Sequence, residues 1–327
     1  MIKVWCDKFS VSDPVARTSE IIAEYQVQGQ VEIDLQQEGP CADHIGLYAM
    51  LDRICEQFGF DRSRITVHTA NSEETHDQYC IVEQPRWHWA TMRHVLARKG
   101  IRTSDFEHKQ LDQYLLSCFY NIPSWDRLCL ISRVKSTVKN SCLISCNGVL
   151  QGHEYNSYDL NQIIEFCPQE LHNIVQFILS NPGPLPDHPN PGVGQKPTPD
   201  RQLDIIDYYN HIFVDLVGET YIHGLTFYPT EKTWRPVYTL TPFVISGPQG
   251  FVDNLRSRYG VRTFSQWWDE SYDNYQNYQR IEKIYSVIEF LDSLSLSDRR
   301  TMYQEMLPTL RHNQQIIIKH NDQRRSK

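Results

Sequence analysis

A chain of 327 residues, 40% hydrophobic and 22% charged, has the composition of a soluble globular protein and a length that favours two domains over one. A formal net charge of -8 excludes a bulk electrostatic grip on nucleic acid or an anionic membrane as the default mode of action. Nine cysteines, an odd number without a Cys-x-x-Cys pair, argue for reduced structural thiols over a disulfide framework or a zinc site.

The N-terminal MIKVWCDKFS has no signal-peptide core, and no run approaches the roughly 20 apolar residues of a membrane span. A soluble, cytoplasmic protein is expected. Residues 31–35 (VEIDL) alternate as a strand. Ile45, Tyr48, Leu51, Cys55 and Phe58 then recur at helical spacing up to Gly59, and RITVHTAN alternates again. Strand, helix, strand is a βαβ unit of an open α/β sheet.

Residues 85–102 read as a helix that interleaves Arg86, Arg93, Arg98, Lys99 and Arg102 with Trp87 and Trp89. That mixture suits phosphates and stacked bases, so 86–102 is the candidate DNA-acceptor patch. A helix with core tryptophans and a solvated basic face is the alternative. QYLLSCFYN, PSWDRLCLISRVKSTV and SCLISC give a second strand, helix and strand, completing an N-terminal half over residues 1–165. The C-terminal half, 166–327, starts with a helix over 168–180 packed by Leu171, Ile174, Val175 and Ile178. Next comes a 21-residue stretch with seven prolines, which excludes regular structure.

FVDLV (213–217) reads as a buried strand, TEKTWRPVYTL as a short helix and PFVIS (242–246) as the next strand. GFVDNLRSRYG is a helix stopped by Gly260. A helix with Ile281, Ile284, Tyr285, Ile288 and Leu291 on one face follows, then a last helix over 297–311 and a frayed tail. The expected fold is therefore α/β: two Rossmann-like domains with C-terminal helices. Ligands in such sheets bind outside the carboxyl ends of the strands, here expected in the cleft between the two halves.

TEKTWRP carries the sharpest chemistry. The Thr230 hydroxyl caps a helix start, whose N–H groups and positive dipole end attract phosphate. Lys232 in the first turn opposes the dipole unless an anion binds nearby. Glu231 suits ribose hydroxyls. A solvated Glu/Lys pair on an amphipathic helix stays open as the alternative.

The segment FVDLVGETYIHGLTFYPTEKTWRPVYTLTPFVISGP resembles the donor-binding segment of the α-1,3-fucosyltransferases. The matching positions are Phe213, Glu219, Tyr228, Thr230, Glu231, Lys232, Trp234, Arg235, Pro242, Gly247 and Pro248. A second match, Asn121, Ser124 and Arg127, is similar to that family's other phosphate-binding segment. The chain also resembles putative glycosyltransferases of tailed phages that carry the Thr-Glu-Lys signature, which would put it in the host cytoplasm. The resemblance implies a GT-B fold with two halves facing a central cleft. It implies Glu231 on the ribose, Lys232 and Arg127 on the diphosphate, and Glu219, Thr230 and Asn121 lining the site. Where the family has Asn and Ser after its Glu, this chain has Thr220 and Tyr221, so fucose itself is not implied.

The expected reaction is inverting transfer of a sugar from a nucleoside-diphosphate sugar to a glycan hydroxyl or a hydroxymethylated pyrimidine of DNA. Glu38, at the carboxyl end of a strand, is the candidate general base, followed by Asp43 and His44. No Asp-x-Asp motif with apolar flanks calls for a metal, and no cofactor is expected beyond the co-substrate. The alternative is a catalytically inactive nucleotide- or nucleic-acid-binding protein of the same fold.

Overall fold

The structure is a computed structural model that describes residues 1–5, 17–36, 42–43, 45–83, 96, 100–120, 123–146, 160–181, 185–186, 205–222, 224 and 226–323. The chain divides into two compact units: Met1–Trp87 with His223–Thr230, and His88–Ile222 with Glu231–Lys327.

Unit 1 is built on a parallel sheet in chain order: β1 (Ile2–Trp5), β2 (Val31–Gln36), β3 (Ile65–Thr69) and β4 (Cys80–Glu83). Helices α1 (Thr18–Gln28) and α2 (Leu47–Phe58) make the crossovers β1–β2 and β2–β3. Gly29 and Gly59 close these helices in the left-handed region, which costs glycine nothing. The apolar stripe of α2, with Leu47, Leu51, Ile54 and Cys55, packs with Val31, Ile33, Leu35, Ile65 and Val67 into one core. At the carboxyl ends of the strands, Glu74 ties loop to helix. Its Oε2 accepts from the Ala42 N–H at 3.0 Å and Asn71 Nδ2 at 3.2 Å, and its Oε1 from the Tyr48 hydroxyl at 2.9 Å.

Unit 2 has a five-stranded sheet of β5 (Tyr114–Tyr120), β6 (Cys142–Cys146), β7 (Leu185–Pro186), β8 (Ile212–Gly218) and β9 (Phe243–Ser246). Among the described residues its order is β7-β6-β5-β8-β9, with only β7 antiparallel. Helices of this unit among the described residues include α3 (Trp125–Thr137), α4 (Leu160–Phe166), α5 (Leu171–Ser180), α6 (Glu231–Tyr238), α7 (Phe251–Tyr259), α8 (Asn277–Ser293) and α9 (Leu296–Gln323). Every residue of β8 and β9 is buried, in keeping with their largely apolar sequences IFVDLVG and FVIS.

Both units are α/β with parallel sheets, as expected. The boundary expected at 165/166 is corrected: those residues lie in α4, inside unit 2. The second strand-helix-strand does not complete the first sheet. It pairs with β8 through Leu116↔Val214 and Ser117↔Asp215. Chain order alone conceals a pairing over so long a separation.

Three smaller corrections follow. In α5 Phe177 is buried while Val175 is 36% exposed. The proline-rich stretch contributes β7, and the rest of it lies outside the described residues. The last helix runs on to Gln323 through Pro308. Pro308 is exposed, so the carbonyl its ring frees can meet water. The continuation is anchored where Asn313 brackets the Arg262 backbone, accepting from its N–H at 2.8 Å and donating to its carbonyl at 2.7 Å.

Candidate functional site

In unit 2 the chain leaves β5 toward β6 on one side and leaves β8 toward β9 on the other. The loops diverge at the carboxyl ends of β5 and β8, the topological switch point where doubly wound sheets hold ligands. The register Ser117↔Asp215, continued, sets Tyr120 against Gly218. Tyr120 lies so close that a Cβ on Gly218 would sit 2.6 Å from its ring. Glycine is required there by space rather than by torsion angle.

Arg127, in the first turn of α3, enters the switch point from one face of the sheet. It is 4% exposed, and its Nη2 donates to the carbonyls of Gly218 at 3.0 Å and Glu219 at 2.8 Å, with the guanidinium 5.8 Å from the Tyr120 ring centre. Arg127 thereby fastens α3 to the end of β8. Ser124, at the N-cap of α3, makes no side-chain cap bond: its hydroxyl turns to Asp126 Oδ1 at 2.5 Å.

Helix α6 begins on the sequence that raised the phosphate question. Glu231 and Lys232 form an ion pair at 3.4 Å, both mostly buried, and Lys232 Nζ also lies 3.4 Å from the Thr220 hydroxyl. The Thr233 hydroxyl donates to Glu219 Oε1. Glu219 and Thr220, just past β8, are thus stitched to the first turn of α6. Thr230, immediately before the helix, is completely buried.

The opposite face of the switch point holds a buried polar cluster. Asp215 accepts from the Ser117 hydroxyl at 2.7 Å and the Tyr209 hydroxyl at 2.5 Å. Burial raises the pKa of its carboxyl, against the pull of Arg235 and the two hydroxyl bonds. Arg235 sits one helical turn after Glu231, 5% exposed, with its guanidinium 5.7 Å from the Phe119 ring centre. Burial disfavours its charge. The carboxylates of Asp215, Glu231 and Glu219 are among the groups that outweigh that and hold it above its ordinary value.

Helix α7, which starts after β9, is different. Its Val252 and Asp253 N–H groups donate to the Asp273 carboxylate at 3.0 and 2.9 Å. Fully buried Arg280 holds that carboxylate at 3.0 Å and also donates to the Ile245 and Tyr272 carbonyls. This helix start is filled by the protein's own anion.

The expected donor residues Arg127, Glu219, Glu231 and Lys232 therefore share one region of unit 2, around the ends of β5 and β8. Asn121, Glu38 and His44 lie outside the described residues, as does nearly all of the 86–102 patch; its described Arg102 is exposed, and so is Asp43. Among the described residues no group of His, Cys, Asp or Glu could hold a metal ion, and no helix is long and apolar enough to cross a membrane. Two features escaped the sequence reading. Ser117 and Asp215 are single polar residues in otherwise apolar strands, a signal of a buried pair. Arg235 gives no such signal, because its burial depends on Phe119 and Asp215 from other elements.

No protein-family model and no curated protein matches the chain. Two solved structures are similar at low level. One is the N-terminal domain of Candida albicans trehalose-6-phosphate phosphatase, with TM-score 0.40 and 8% identity over 98% of this chain and 69% of that chain. The other is an alpha,alpha-trehalose-phosphate synthase (UDP-forming) from Burkholderia vietnamiensis, with TM-score 0.37 and 10% identity over 93% of this chain and 71% of that one. Likeness of this size carries no argument about what this chain does.

Proposed function

We propose that the chain is a glycosyltransferase that takes its sugar from a nucleoside-diphosphate sugar. One observation carries this reading: Arg127, remote in sequence, meets Glu219, Glu231 and Lys232 at the switch point of a doubly wound sheet. A ribose accepts and donates hydrogen bonds beside Glu231, and the diphosphate lies by Lys232 and the start of α6.

Transfer is a single displacement. The acceptor oxygen bonds to the anomeric carbon as the bond from that carbon to the diphosphate oxygen breaks. The acceptor proton passes to a carboxylate base, for which Glu38 stays the candidate, and the nucleoside diphosphate leaves carrying the electron pair. Lys232 and the helix dipole stabilise the negative charge that develops on the departing oxygen. The acceptor is a glycan hydroxyl or a hydroxymethylated pyrimidine in DNA, and the basic, tryptophan-containing 86–102 stretch favours the second.

The test is thermal unfolding with UDP, GDP, ADP, CMP and their sugars, for the wild type and Lys232→Ala. A nucleotide at a hundred times its dissociation constant adds about 2.7 kcal/mol. Stabilisation of the wild type by one nucleotide, lost in the variant, is expected. No shift with any of them sinks the proposal. Binding without consumption of any nucleotide sugar turns the reading into a nucleotide-binding protein.

A further inference from the structure

Two arginines flank the end of β5. Arg127 lies over Tyr120 and Arg235 over Phe119, consecutive residues whose side chains point to opposite faces of the sheet. Their hydrogen bonding differs. Arg127 Nη2 donates to the Gly218 and Glu219 carbonyls. The guanidinium of Arg235 has no hydrogen bond or ion pair to any described residue, and its Nε is buried without a partner.

Nearby carboxylates do not resolve this. Both oxygens of Asp215 are engaged by Ser117 and Tyr209, Glu219 Oε1 by Thr233, and Glu231 Oε1 lies beside Lys232. A guanidinium is a planar fork of five donors, and a buried one left unbonded is costly. Such a group needs a two-oxygen acceptor, and phosphate supplies one.

We propose that Arg235 is a binding residue for the anionic group of the ligand at the switch point, forking onto a phosphate from the face of the sheet opposite Arg127. This rests on the donor-nucleotide reading and deepens it: the diphosphate is held by Lys232 and Arg235 together, while Arg127 secures the backbone of the site. The rival role is purely structural, with Arg235 serving only as a counter-charge to Asp215.

The experiment is calorimetric titration of the intact chain with UDP, GDP and inorganic pyrophosphate. It uses the wild type, Lys232→Ala, Arg235→Gln and Arg235→Lys, each below its own ligand-free melting temperature. Loss of charge-assisted bonds should weaken diphosphate and pyrophosphate binding about ten- to hundredfold in Arg235→Gln. Arg235→Lys keeps the charge without the fork and should weaken both less; it decides the matter if Arg235→Gln does not fold. If the Arg235 variants melt early yet bind UDP or GDP like the wild type while Lys232→Ala does not, the proposal is overturned and the donor reading stands. Arg235-dependent pyrophosphate binding without nucleotide binding keeps the anion site and removes the donor reading. No binding of any probe by the wild type overturns both.

Discussion

Helices α6 and α7 start beside neighbouring strands of one sheet, yet their first turns are treated in opposite ways. At α7 the protein supplies its own anion: Asp273 takes two backbone N–H groups and is clamped by buried Arg280. At α6 the first turn carries Glu231 and Lys232, bound to each other and to residues just past β8. A helix start already filled by a buried carboxylate is part of the scaffold. On the proposed function, one whose first turn holds a lysine against the dipole is arranged for an anionic ligand. On that reading the difference separates a structural from a functional helix start within one sheet.

The largest expected effect tests the scaffold side. Asp273→Ala removes the cap of α7 and leaves Arg280 charged and buried, which should cost unit 2 about 3–5 kcal/mol in urea unfolding. A loss below 1 kcal/mol, on the order of a surface pair, would show that α7 does not depend on its plug. Lys232→Ala tests the functional side. Nucleotide affinity should fall by about 1.5–3 kcal/mol, measured by calorimetry, and by more than ligand-free stability falls from the broken Glu231 pair. If stability fell as much as affinity, α6 would be scaffold too, and the contrast would vanish.

Gly218→Ala reaches both sides, since Gly218 ends β8 and its carbonyl holds Arg127. The new Cβ forces Tyr120 aside, an overpacking cost of about 1–3 kcal/mol in the same unfolding assay. Unchanged stability would mean that the end of β5 yields easily. The smallest effect concerns the turn that carries Asp273. Asp269 accepts from the Ser271 N–H at 2.8 Å and hydroxyl at 2.7 Å, and these bonds lower its pKa from the ordinary 3.8. Its contribution is complete above that value and is lost as pH falls through the lowered one. Asp269 is exposed, so after solvent screening the contribution is about 0.5 kcal/mol or less. Asp269→Asn should therefore melt slightly below the wild type at pH 7, and the gap should close in acid. A gap that persists below about pH 3 would assign it to packing instead.

Local physics made much of this legible in the sequence. TEKTWRP reads as a helix start because Thr, Glu and Lys precede an apolar pattern, and α6 forms there. Gly59 and Gly260 end their helices in the left-handed region, as glycines after an apolar stripe should. What was hidden depends on partners distant along the chain. β5 was assigned to the wrong half because nothing near Ser117 reveals Asp215 as its neighbour. β1 is too short for alternation to stand out. Arg235 stood among the positions that match the resembled donor-binding segment but was given no role, and only the Phe119 ring and the Asp215 cluster give it its setting.

The path of the chain between its units has a practical consequence for taking the protein apart. Unit 1 reclaims His223–Thr230 from the middle of the sequence that builds unit 2. Asn71 Oδ1 accepts from the Phe227 N–H at 3.3 Å, and the Ser72 hydroxyl donates to its carbonyl at 3.2 Å. A single cut after Trp87 would give one fragment missing part of its own core and another bearing Phe227 and Tyr228 stripped of their cover, a sticky loop prone to aggregate. The two units are therefore not interchangeable cassettes. Shuffling either into another protein would require the short segment to travel with the first and its gap in the second to be rejoined.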